Sequence, residues 1–178
     1  MTHKLTTEEM HRLTVEEFRA SEKLPLTVVL DNVRSLNNIG SVFRTSDAFR
    51  VEHIALCGIT ATPPHREIHK TALGAEESVA WSYHEDTAEC VRSLKEQGYK
   101  IYAVEQVDDS IMLGAQAAGL CYGKVAIILG NEIDGVQERL LPLCDECLEI
   151  PQFGTKHSLN VSCAAAIVIW ELYKTMKL

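Results

Sequence analysis

Residues 128–135 read Ile-Leu-Gly-Asn-Glu-Ile-Asp-Gly, and residues 150–162 read Ile-Pro-Gln-Phe-Gly-Thr-Lys-His-Ser-Leu-Asn-Val-Ser. Each sets an apolar, strand-like run against a glycine-bearing polar loop. A third junction of this kind lies far upstream, where residues 38–44, Asn-Ile-Gly-Ser-Val-Phe-Arg, come just after an apolar run. Three polar loops at strand ends, spread along one short chain, are the sequence form of a ligand crevice in an open α/β sheet.

Working outward, Thr6-Thr7-Glu8-Glu9 has the form of an N-cap with early acids and opens an amphipathic helix to about Ala20. Leu26–Leu30 is a strand candidate, and Asn38–Phe49 a helix with Ile39, Val42, Phe43 and Phe49 on its apolar side. A strand at His53–Cys57 precedes a short helix that Pro63-Pro64 opens and residues 72–75 close. Val79–Tyr83 and Lys100–Glu105 read as strands around a helix at Asp86–Gln97 stopped by Gly98, and a polar loop then runs to Ser110. Val125–Leu129 is the most apolar strand. A short helix at Val136–Leu141, a strand at Leu148–Ile150 and a long helix at Asn160–Met176 complete the chain. Strands alternating with helices predict an α/β fold with a mostly parallel sheet and helices on both faces. Ligands then bind at the carboxyl ends of the strands, where the three polar loops fall.

At 178 residues the chain suits one well-buried α/β domain. Its longest apolar run, Val161–Trp170, is broken by Ser162 and falls well short of the roughly 18–20 residues a membrane span needs. The first residues carry no apolar signal core, so a soluble, cytoplasmic protein without a membrane partner is expected. Six cysteines, at 57, 90, 121, 144, 147 and 163, are scattered and several sit in apolar segments. That is the pattern of reduced, buried thiols. Cys144 and Cys147 form a lone Cys-x-x-Cys that could be half a zinc site or a redox pair, but no second motif completes it, and no metal is expected.

The formal charge of −8 counts against an extended nucleic-acid surface. The charge is uneven, however. Acids concentrate in residues 85–109 and 132–149, while Arg34, Arg44, Arg50, Arg66, Lys70 and Lys156 fall in or near the polar loops, leaving room for a local basic face. Several common chemistries are absent: there is no phosphate loop, no Gly-x-Gly-x-x-Gly and no nucleophile elbow. His65 and His69 stand at i, i+4 as in zinc proteases, but Glu67 is one place late and no third ligand is evident. They read as a solvated or RNA-facing helix.

Each loop alone has an ordinary reading. Asn38 and Arg44 can be a cap and a surface cation, or an amide at a helix start with a guanidinium that pairs phosphate. Gly130, Glu132 and Gly135 can be a turn with a solvated acid, and Ser158 with Asn160 a plain helix start. Jointly they are far more specific. The chain resembles the SpoU, or TrmH-like, branch of the SPOUT superfamily of RNA methyltransferases. One family motif matches Asn38, Gly40 and Arg44; a second matches Leu129, Gly130, Glu132 and Gly135; a third matches residues 150–164; all stand in order, and the segment 70–75 between them also fits. The resemblance spans roughly residues 25–175.

The resemblance implies a SpoU-type domain over residues 25–178 with a C-terminal trefoil knot, preceded by a helical extension over residues 1–24. It implies S-adenosylmethionine as cofactor, cradled near Gly130, Ile150 and Leu159, with Glu105 and Ser158 contributing. It implies a homodimer with each site near the subunit interface, and methyl transfer to a ribose 2′-hydroxyl of tRNA or rRNA, tRNA slightly favoured. The residues that carry the chemistry by this resemblance are Arg44, Asn38, Glu132, Ser158 and Asn160. A guanidinium stays protonated, so Arg44 suits a role in orienting phosphate and stabilising a developing alkoxide. Asn38 would position the Arg44 loop, with Glu132 and Asn160 fixing the surrounding geometry. The alternative is a non-catalytic member that binds S-adenosylmethionine or RNA as a processing or assembly factor.

Overall fold

The computed structural model describes residues 2–6, 8–114 and 123–177; of the residues named above, Thr7, Cys121 and Leu178 lie outside it. The strands are β1 (Leu24–Asp31), β2 (Val51–Cys57), β3 (Ala80–His84), β4 (Lys100–Val104), β5 (Ile111–Met112), β6 (Val125–Leu129) and β7 (Glu146–Glu149). They form one sheet in the order β3-β2-β1-β6-β4-β7-β5, and every pairing is parallel. The expected α/β architecture is therefore present. β6 enters between β1 and β4, and β7 between β4 and β5, so the last two strands insert among strands already laid down. The helices are α1 (Val15–Ala20), α2 (Leu36–Ala48), α3 (Arg66–Ala72), α4 (Ala75–Ser78), α5 (Thr87–Glu96) and α6 (Val161–Lys177), with a 3-10 helix at Glu138–Leu143.

The strand period of two sorts the core into layers. Leu26, Val28 and Leu30, with Ile54, Leu56, Tyr102, Ile127 and Leu129, pack in one cluster with Ile39, Val42 and Phe43 of α2, Ile68 of α3 and Val168, Ile169 and Leu172 of α6. The alternate residues Val29, Ala55, Cys57, Ile101, Ala103, Ala126 and Ile128 meet Ala88, Cys90 and Val91 of α5 and Leu140 of the 3-10 helix. Alanine and cysteine dominate this second face, so α5 can lie close to the sheet. Each fully buried Leu, Ile, Val or Phe contributes ~1.5–3 kcal/mol, and strands buried on both faces read as the continuous apolar runs seen here.

Three elements differ from expectation. Thr6 and Glu9 do form reciprocal side-chain to backbone bonds, at 2.7 and 3.3 Å, but the helix does not propagate. His11 turns to a φ of 47°, and α1 restarts behind a capping box of Thr14 and Glu17. Described residues before Val15 are exposed, so this turn has no apolar face to bury, and a helical nucleus without tertiary packing is marginal. The helix expected to end at residues 72–75 divides into α3 and α4, because Leu73 and Gly74 both adopt positive φ. The segment expected as Val136–Leu141 is a 3-10 helix set two residues later, extending over Pro142.

Candidate active site

The carboxyl ends of β4, β6 and β7 open on a cavity of about 540 Å³, walled also by residues 157–161 and Ala164 at the start of α6. Glu105, Gly130, Glu132, Ile150, Ser158, Leu159 and Asn160, all expected from the sequence, line it.

The wall after β6 is a tight return. Asn131 and Gly135 exchange backbone hydrogen bonds at 3.1 and 3.2 Å, and the Asn131 side-chain oxygen accepts the N–H groups of Ile133 and Asp134 at 2.9 Å each. Gly130 permits this closure, since a Cβ there would lie 1.9 Å from the Gly135 carbonyl carbon. Glu105 braces the return from β4: one oxygen accepts the Val136 N–H at 3.0 Å, the other the Gln106 N–H at 3.0 Å. Gln106 in turn donates its amide to the His157 carbonyl at 3.1 Å, tying the β4 end to the loop before α6.

Glu132 leaves this return and reaches the N-terminus of α2. Oε1 accepts the Ser35 N–H at 3.1 Å and the Asn38 side-chain amide at 2.9 Å, while Oε2 accepts the Arg34 N–H at 3.2 Å. A carboxylate is favoured at a helix N-terminus by the helix dipole. Burial pushes the Glu132 carboxyl upward, but the Asn38 amide and the backbone N–H groups, Arg34 and Ser35 among them, outweigh it and hold it below the ordinary value. The Asn38 side-chain oxygen accepts the Asn160 amide at 3.1 Å. The Asn160 oxygen accepts the Ser162 N–H and hydroxyl at 2.9 and 2.6 Å, at the start of α6. One chain of hydrogen bonds, Glu132–Asn38–Asn160, thus joins loops that are 94 and 122 residues apart in pairs.

Arg44 stands apart. Six residues beyond Asn38, it lies about 9 Å along α2 and lines a different cavity, of about 960 Å³, with Arg12, Asp47, Arg50, Ser78 and Lys177. Its guanidinium is exposed and makes no hydrogen bond or ion pair among the described residues. Gln106 and Asn131 enter the site without having been singled out; Asn131 sat in plain view inside a matching segment, whereas nothing in the sequence marks Gln106.

The remaining candidates lie elsewhere. His65 caps α3, its Nδ1 accepting the Glu67 N–H at 3.2 Å, and His69 pairs with Glu76 at 2.5 Å. Burial pushes the Cys144 thiol up to about 12, with the neighbouring Cys147 adding to the shift. Such a thiol is a poor source of thiolate for redox chemistry at neutral pH. No group of three or more His, Cys, Asp and Glu among the described residues is arranged to hold a metal ion.

A profile described as the SpoU rRNA methylase family matches residues 25–170. The chain is 34% identical over 164 residues to a tRNA (guanosine(18)-2'-O)-methyltransferase of Thermus thermophilus, covering 92% of this chain and 81% of that enzyme. It is 31% identical to the 23S rRNA (guanosine-2'-O-)-methyltransferase RlmB of Vibrio parahaemolyticus, covering 92% of this chain and 64% of that one. The crystal structure of an AdoMet-bound rRNA methyltransferase from Sinorhizobium meliloti matches with a TM-score of 0.78 at 24% identity, covering 90% of this chain and 61% of that one. The chain thus spans less than two thirds of the last two proteins.

Proposed function

We propose, because this chain belongs to the SpoU rRNA methylase family, that it is an S-adenosylmethionine-dependent methyltransferase acting on a ribose 2′-hydroxyl of tRNA or rRNA. The observation that carries this reading is the hydrogen-bond chain Glu132–Asn38–Asn160, which ties the start of α2 to the two loops that wall the cavity at the strand ends. A tRNA target is the first choice, since the Thermus relative that the chain covers most fully is a tRNA enzyme.

The residues of the cavity fit the cofactor. Its volume falls within the roughly 300–1,000 Å³ of small-molecule sites. Val104, Leu129, Leu148, Ile150 and Leu159 offer apolar walls for an adenine ring. Glu105, Glu132, Asp134 and Glu149 also line it, and among the described residues no Lys or Arg does, which suits a cationic sulfonium and disfavours a polyphosphate. S-adenosylmethionine, when bound, supplies an activated methyl group. What the chain must then do is hold the ribose hydroxyl in line and help it shed its proton. Glu132 is committed to three donors and acts as a positioning group, as does Asn160 beyond Asn38. Arg44, free and permanently charged, orients an RNA phosphate and stabilises the developing alkoxide.

The separation of Arg44 from the cofactor cavity supports a homodimer in which the Arg44 face of α2 helps complete a site at the subunit interface. The insertion of β6 and β7 among earlier strands supports a knotted C-terminal path within residues 25–178, with residues 1–24 as an extension. Among the described residues no helix is long and apolar enough to cross a membrane, and the cytoplasm, where RNA is met and cysteines stay reduced, is the compartment we assign.

The test is transfer of labelled methyl from S-adenosylmethionine to unmodified tRNA and, separately, to rRNA, with wild type and Arg44→Ala in parallel. Label recovered as a 2′-O-methylnucleoside, and lost in the variant, is the expected result. Tight cofactor binding without incorporation into either RNA would transfer the chain to the non-catalytic reading.

A further inference from the structure

In the sheet β6 lies between β1 and β4. Each of these neighbours presents a carboxylate at or just after its last residue, aimed at the chain leaving the return after β6. From the β4 side Glu105 takes the Val136 N–H. From the β1 side Asp31 takes the next residue: Oδ2 accepts the Gln137 N–H at 3.1 Å, and Oδ1 accepts the Gln137 side-chain amide at 2.6 Å. Asp31 is fully buried, and its other donors are Thr87 Oγ1 at 2.7 Å and Asn32 Nδ2 at 2.9 Å. None of these partners is a cation, so the carboxylate is sustained by hydrogen bonds alone, an arrangement that is costly unless every bond is kept.

We infer that Asp31 is a positioning residue of the methyl-transfer site. With Glu105 it clamps residues 136 and 137 from both sides of β6, and so holds residues 130–135, which wall the cofactor cavity, in place and Glu132 among them in register with Asn38. Neither Asp31 nor Gln137 lines the cofactor cavity, so Asp31 acts only through the return. The inference rests on the methyltransferase reading.

Two near-isosteric variants separate this role from plain stability. Asp31→Asn faces its donors with an amide and weakens the tie to Gln137. Thr87→Val removes a bond to the same carboxylate from the α5 side and leaves the return untouched. The measurements are amide hydrogen exchange at residues 131–137, S-adenosylmethionine affinity by calorimetry, and kcat on tRNA, all well below each variant's Tm. For Asp31→Asn we expect exchange at Val136 and Gln137 about tenfold faster, affinity about tenfold weaker and a lower kcat. For Thr87→Val we expect a comparable loss of stability with exchange, affinity and kcat within about twofold of wild type. Should Asp31→Asn not fold, Gln137→Leu, which keeps the main-chain bond, is expected to move the same three quantities in the same direction by less. Wild-type exchange and affinity in the folded Asp31 or Gln137 variant, or equal shifts in Thr87→Val, would overturn the inference. If wild type itself binds no S-adenosylmethionine, the methyltransferase reading fails, while the exchange comparison still decides whether the clamp exists.

Discussion

Glu132 is a bracket between two loops. It accepts three hydrogen bonds from the start of α2 and spends its charge there. Glu132→Gln keeps the shape but turns an amide N–H toward at least one donor. We expect kcat to fall about tenfold or more with S-adenosylmethionine affinity changed far less; an unchanged kcat would remove Glu132 from the machinery. The bracket has a pH signature. Its folded carboxyl titrates below the ordinary value, so the stability it adds is complete above the unfolded value of ~4.3 and is lost as pH falls through the lower folded value. The gap in urea midpoint between wild type and Glu132→Gln should therefore close on acidification. His53 behaves similarly in a nearer range. Burial chiefly, then the charge of His84, lowers its pKa against the opposing pull of Glu52. The unfolded chain takes up that proton near pH ~6.5 while the folded chain resists, so stability is complete above ~6.5 and declines below it. His53→Asn should flatten the fall in urea midpoint between pH 7.5 and 5.5, about an order of magnitude in proton activity on either side of that value.

At the scale of elements, α2 carries both Asn38 and Arg44, and its seat on α3 is set by Gly40. A Cβ there would stand 2.3 Å from the Ile68 carbonyl oxygen and 2.1 Å from Thr71 Oγ1. The carbonyl is backbone and cannot swing aside, so Gly40→Ala should cost ~1–3 kcal/mol, or a Tm lower by roughly 2–4 °C for each of those kcal/mol. Gly154→Ala, with nothing within 4 Å of the new carbon, should leave Tm unchanged; equal melting of the two variants would show that the helix pair repacks freely. Elements of this kind explain what was legible beforehand. β6 was readable because burial on both faces demands an unbroken apolar run, whereas Asn38, Glu132 and Asn160 were marked by the resemblance to the family's three motifs, since each loop alone reads as an ordinary turn or cap. β5 was not readable, since two residues carry no period. Nor was α1, whose start depends on what its first turn fails to bury. Asp31 was silent for the opposite reason: a single acid ending an apolar strand looks like the edge of a loop until Gln137 and Thr87 are found on it.

The whole molecule, as one chain, leaves complementary features unused. Arg44 and Arg50 face an open cavity on a protein of net charge −8. On α6 Ile167 is 41% and Trp170 45% exposed, three residues apart and so on one side of the helix, although Trp170 already stacks with Tyr173 and tilts against Phe49. Phe153, in the loop that leads to Ser158 and Asn160, is 97% exposed. A second copy laid along α2 and α6 would cover the apolar pair and bring a further Arg44 toward the cofactor cavity. It would do so without requiring a basic surface, which this composition does not provide. The prediction is a dimer at micromolar concentration by sedimentation equilibrium. Ile167→Glu should give a folded monomer, because the position is half exposed and the charge is tolerated in the single chain but not in a covered apolar face. That monomer should retain S-adenosylmethionine binding, since the cavity is built within one chain, and should lose methyl transfer, since Arg44 then has no cavity to serve. A fully active monomer would show that one chain suffices and that Arg44 reaches its own site by a movement of α2.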